Sequence, residues 1–144
     1  MIQRIQSIYL LLSAVCSLGL TQFLVLWGHQ SDGVIYVFSL FKSEELYLKI
    51  IPYLFIFSGA LSLITIFLFK NRRRQISLNR LNIIINFLLI GLVLYYLLTL
   101  SGENIISEKG IGVVLPLVSV ALLALANKAI KKDDDLVKSV DRLR

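Results

Sequence analysis

Four long apolar stretches, approximately residues 5–27, 48–69, 81–100 and 111–130, alternate with short polar segments along the chain. Away from their ends none holds an Asp, Glu, Arg or Lys; Lys49 stands near the start of the second and Lys128 near the end of the fourth. Each is long enough to span, since a bilayer core of about 30 Å takes about 20 residues of helix at about 1.5 Å per residue. In lipid the backbone must satisfy its own hydrogen bonds, so a span is a helix or part of a closed barrel, and unbroken apolar runs lack a barrel strand's alternation. The pattern predicts an all-α membrane protein: four transmembrane helices in an antiparallel bundle, one domain over residues 1–144, with tight reversals after the second and third spans.

Two polar segments break this regularity. Between the first two spans runs "GHQSDGVIYVFSLFKSEEL", where Asp32-Gly33 signals a turn and residues 34–41 are rich in β-branched and aromatic types. A short strand or hairpin is expected in this outer loop. Val34, Tyr36 and Phe38 form a candidate partner surface, because such side chains are costly to leave in water. After the fourth span, Asp133, Asp134 and Asp135 precede Leu136, Val137, Val140 and Leu143 at helical spacing. Acids at the start and Arg142 and Arg144 at the end suit a helix dipole, so residues 133–144 read as a short amphipathic helix. Its Leu136, Val140 and Leu143 would rest on the membrane interface or on a partner protein.

Composition supports the membrane reading: 57% of residues are apolar and 17% charged, with a mean hydropathy of +0.80, whereas soluble domains carry about 25% charged residues. Charge then orients the chain, because Lys and Arg near span ends remain cytoplasmic. Lys70, Arg72, Arg73, Arg74 and Arg80 read as a basic turn between the second and third spans, the topology anchor. Placing that turn inside puts twelve cations and four acids on the cytoplasmic side, against three cations and five acids outside. Both termini are then cytoplasmic. Trp27, Tyr47, Tyr53, Tyr95 and Tyr96 fall near the outer ends, where such rings prefer to lie. Pro52 and Pro116 each enter a span from outside, which hints at a two-fold repeat.

The chemistry is sparse. Pumps, proton-coupled carriers and voltage sensors keep ionisable groups in the membrane, and these spans have none away from their ends. His29 has no Cys or carboxylate at ligand spacing, so no metal is expected. No phosphate-binding glycine loop and no nucleophile beside a base is present, so neither enzyme nor cofactor is expected. The single Cys16 excludes an intramolecular disulfide. The first span also runs past the length of a signal core, with bulky Val15 set against lipidation at Cys16. Intramembrane polarity is neutral: Asn79, Asn82 and Asn86 line one face of the third span, with Ser13, Ser17 and Thr21 and then Ser58 and Ser62 repeating at four. Asn82 and Asn86 read as interhelical hydrogen-bonding residues, with a polar track as the alternative.

"MIQRIQSIYLLLSA", "KNRRRQISLNRLNIII", "KGIGVVLPL" and "LANKAIKKDDDLVKSVDRLR" together resemble a family of small bacterial four-span inner-membrane proteins defined only as a domain of unknown function. The resemblance covers nearly the whole chain and implies a multi-pass protein of the bacterial inner (cytoplasmic) membrane with no assigned activity. The expected partners are the lipid bilayer and either a membrane protein or a second copy of the chain. Nucleic acid is disfavoured, since the cations are pinned to membrane exits without interleaved aromatics. The function expected is a non-enzymatic accessory or scaffold subunit of a membrane complex; the alternative is a small passive transporter, channel or lipid-handling protein.

Overall fold

The computed structural model describes residues 5–29, 33–44, 46–101 and 106–142. Its α-helices are α1 (Ile5–Ala14), α2 (Leu46–Phe67), α3 (Arg72–Ser101) and α4 (Leu115–Arg142), and its strands are β1 (Val25–His29), β2 (Gly33–Tyr36) and β3 (Ile106–Lys109). Among the described residues, four helical segments are long and apolar enough to cross a membrane: Ile5–Gln22, Leu48–Phe67, Arg72–Thr99 and Ile111–Ser139. The chain is a membrane protein built on a four-helix bundle. α1 packs on α2 and α4, and α3 packs on the same two, so the order around the bundle follows the order in the chain.

Several boundaries differ from those the sequence suggests. The first span closes at Gln22 rather than at residue 27. α1 runs into a π turn (Val15–Gly19) and a 3-10 turn (Leu20–Gln22), after which the chain turns extended. The apolar residues 25–27 fit helix or strand equally by composition, and pairing with strands elsewhere decides for strand. β1 is the middle strand of a three-stranded antiparallel sheet in the order β2-β1-β3. The expected hairpin is therefore β1 with β2, joined in register Trp27↔Ile35, Gly28↔Val34 and His29↔Gly33. Residues 37–42 of the β-prone run are not strand but a 3-10 helix, with Val37 and Leu40 buried.

β3 lies in the link between the third and fourth helices, which is thus more than a tight reversal; it pairs Trp27↔Lys109 and Gly28↔Glu108. The sheet ties the two loops at this end of the bundle together. "KGIG" makes the junction possible. Gly110 donates its N–H to the Leu26 carbonyl at 3.0 Å, and a Cβ on Gly110 would fall 1.9 Å from the Val25 carbonyl oxygen. At Gly112 the corresponding distance is 2.8 Å, so both positions must be glycine for the backbones to approach.

At the opposite, basic end the turn is only residues 68–71. Arg72, Arg73, Arg74 and Arg80 lie within α3. Asn71 is the N-cap: its carbonyl accepts the Gln75 N–H at 3.0 Å. Nor does a separate helix begin at residue 133; of the expected tail 133–144, residues 143–144 lie outside the described residues. α4 continues unbroken from Leu115 to Arg142, because no Gly or Pro follows Pro116 to interrupt it.

The interior is layered. An apolar cluster of Leu26, Val37, Ile51, Phe55, Leu89, Val93 and Leu115, among others, fills the sheet end. A smaller cluster of Leu10, Leu123 and Ala126 lies toward the basic end. Between them, Ser13, Ser17, Ser58, Ser62, Asn82, Asn86 and Ser119 are all buried, whereas Phe57, Phe67, Ile84 and Leu98 are exposed on the outside. Polar groups inside and large apolar groups outside is the arrangement that a hydrocarbon solvent selects.

Candidate functional site

The buried polar layer is assembled by short helical repeats. Residues three, four and seven apart share a helix face, so Gln75, Asn79, Asn82 and Asn86 form one row along α3, each at most 1% exposed. Asn82 donates to the Ser58 carbonyl at 3.0 Å and to Ser62 Oγ at 2.8 Å, joining α3 to α2. Asn86 donates to Ser58 Oγ at 2.8 Å and to the Asn82 carbonyl at 2.9 Å. Asn79 joins α3 to α4 through the Leu123 carbonyl at 2.8 Å.

Ser17 is the crossing point. The π turn holds it 3.4 Å from both Ser58 on α2 and Ser119 on α4, and Ser13 lies 3.3 Å from Ser62. Those hydroxyl separations are long for O–H···O bonds, which center near 2.7–2.8 Å. The asparagines, with donor distances of 2.8–3.0 Å, are the stronger links.

Gln75 is a residue the sequence hides. Its position among the cations places it in the basic turn, yet it is fully buried, one turn beyond Asn79, and donates to the Thr65 carbonyl at 3.1 Å. The signal that could have found it is the spacing of four from Asn79. Because Gln75 and Asn79 donate to backbone carbonyls, their amide nitrogens are assigned by the acceptors and their oxygens point elsewhere. Among the described residues, the buried amide oxygens of Gln75, Asn79, Asn86 and Asn127 meet no donor.

The basic end carries the remaining named cations. Lys70, Arg73, Arg74 and Arg80 are exposed, and Arg72 is half-buried. Arg72 reaches Asp133 at 3.2 Å and Asp134 at 3.9 Å across the α3–α4 seam. Three consecutive arginines at a helix N-terminus oppose the helix dipole, and the two aspartates offset them. The acids therefore serve the start of α3 and not the start of a tail helix. Asp134 also takes a bond from Lys138 at 2.5 Å. That bond, with Arg72 nearby, holds its carboxyl below the ordinary carboxylate range.

The apolar residues named as partner surfaces lie at both ends of the molecule. At the sheet end Tyr36 is exposed and Phe38 half-buried. Phe38 sits 6.0 Å from the Phe41 ring, which meets Tyr53 of α2 edge-on at 5.0 Å. Val34 is in β2, its side chain outside the described residues. At the basic end Leu136 is 57% exposed. The Val140 side chain and the whole of Leu143 lie outside the described residues. The two sets cannot act as one surface. Among the described residues, no three His, Cys, Asp or Glu side chains gather closely enough to hold a metal ion.

Comparison with curated proteins and with solved structures finds no match. A family model does match, over residues 2–143: the chain belongs to the family defined as a domain of unknown function, DUF4293.

Proposed function

We propose that this protein is a non-enzymatic accessory or scaffold subunit of a membrane complex, seated in the bacterial inner membrane with its basic end and both termini in the cytoplasm. One observation carries the reading: the intramembrane asparagines Asn79, Asn82 and Asn86 donate to groups on the neighbouring helices α2 and α4. A groove of about 260 Å³ between α2 and α3 is walled by Ile51, Leu92, Tyr95, Tyr96 and Thr99, and another of about 510 Å³ follows α4 near Lys128; neither includes Asn82 or Asn86. A bundle cross-linked in this way is a rigid body suited to holding other subunits. Charge at span ends supports the orientation.

Affinity purification from membranes in mild detergent tests the proposal. A stoichiometric membrane partner, whose own abundance falls when this chain is deleted, is the expected result. Repeated recovery of the chain alone counts against it. The donorless oxygens of Gln75, Asn79, Asn86 and Asn127 favour a second reading, a hydrated path through a small passive transporter or channel. That reading fails if replacing Asn82 and Asn86 by Leu leaves every flux phenotype intact.

A further inference from the structure

We infer that the outer face of α4 carries a binding site for one anionic phospholipid, its phosphate held by Lys128, Lys131 and Lys132. The groove of about 510 Å³ on this face is lined by those lysines with Asp135, Leu136 and Ser139. The spacing of three and four puts the lysines on one face within about one helical turn. All three are exposed. Among the described residues none of them has a carboxylate within ion-pair distance, while Asp133 and Asp134 are taken by Arg72 and Lys138.

Depth and continuity point to a lipid and not a soluble anion. Lys128 follows the apolar run that opens at Ile111, a rise of about 26 Å at about 1.5 Å per residue. It therefore stands at the edge of a hydrocarbon core about 30 Å thick, with Lys131 and Lys132 in the headgroup layer. The same exposed face runs on into the membrane through Leu117, Val118 and Leu125. Ala121 and Ala124 lie exposed among them with small side chains. An acyl chain laid against this exposed apolar stretch lets its phosphate reach the lysines.

Asp135 lies about one turn farther from the core, where it faces whatever the phosphate carries. Ser139 donates its hydroxyl to the Leu136 carbonyl at 2.7 Å, which leaves its oxygen to accept. Two acceptors beyond three cations fit a headgroup bearing hydroxyls, and the excess of positive charge selects an anionic lipid over a zwitterionic one. Phosphatidylglycerol has this chemistry.

Native mass spectrometry of the full chain in detergent, with phosphatidylglycerol, phosphatidylethanolamine or phosphatidylcholine added, tests the site. Two triple variants are compared with the parent: K128Q/K131Q/K132Q, and R73Q/R74Q/R80Q as a control for diffuse charge. The altered side chains are exposed, so the fold is retained, and circular dichroism verifies it. The expected result is preferential retention of phosphatidylglycerol, lost by roughly tenfold or more in the lysine variant and kept by the arginine variant. Each basic residue near anionic lipid contributes about fivefold. Equal loss in both variants, no loss in either, or equal retention of all three lipids overturns the site. Displacement of the lipid by inorganic phosphate at matching concentration would instead assign it to a soluble anion, and also overturns it.

Discussion

Replacing Asn82 by Leu removes the best-connected side chain of the polar layer at nearly constant volume. Two donor bonds disappear, to the Ser58 carbonyl at 3.0 Å and to Ser62 Oγ at 2.8 Å, together with an acceptor 3.2 Å from the Asn86 amide. Interhelical bonds of this kind contribute about 0.6 kcal/mol on average and up to about 2, since the unfolded chain in lipid also finds partners. The substitution should therefore cost about 1–3 kcal/mol. The informative measurement is a double-mutant cycle with Ser62→Ala, followed by reversible unfolding in mixed micelles. It isolates the single Asn82–Ser62 bond, for which a coupling of about 0.6–1.7 kcal/mol is expected. A coupling indistinguishable from zero, or a leucine variant more stable than the parent, would refute the claim that the layer holds α2 and α3 together.

Other consequences are as direct. Gly110→Ala should disrupt the sheet, because its Cβ would lie 1.9 Å from a backbone oxygen that cannot rotate away; the loss should exceed the roughly 1–3 kcal/mol of ordinary overpacking. Hydrogen exchange across residues 25–36 reads it out. Gly91→Ala is the control, since nothing lies within 4 Å of its Cβ position, and it should be neutral or slightly stabilising. Arg72→Gln should speed amide exchange in residues 133–142 several-fold while sparing the helix cores, because Arg72 reaches Asp133 and Asp134 from α3. Asp134 titrates below its ordinary range. Its contribution is therefore present at neutral pH and lost as pH falls through that lowered value. Acidification of the parent should reproduce part of the Arg72→Gln effect.

The four-helix architecture is legible because long apolar runs have one physical solution in lipid. Boundaries were harder to read, each for a definite reason. Residues 25–27 are apolar but belong to a strand, and β3 takes its partner about eighty positions earlier in the chain, a pairing no local pattern announces. The cations of 72–80 look like loop, yet Arg, Gln and Leu are good helix formers and carry α3 past the apolar run. Gln75 was masked by those charges. Asp133 and Asp134 suit a helix start in isolation, and only the α3–α4 seam shows that the charge they answer is on another helix. The spacing of Asn79, Asn82 and Asn86 puts them on one face, whereas their partners on α2 and α4 come from the fold alone.

The proposed orientation requires the cations of one bundle end to stay in the cytoplasm. Single cysteines at Ser39 and Asn71, both exposed and at opposite ends, test this in a Cys16→Ala background, the natural thiol being buried. An impermeant maleimide applied to intact cells should modify the cysteine at position 39 and reach the one at 71 only after permeabilisation. Modification at position 71 in intact cells, with position 39 protected until the membrane is opened, would reverse the proposed orientation.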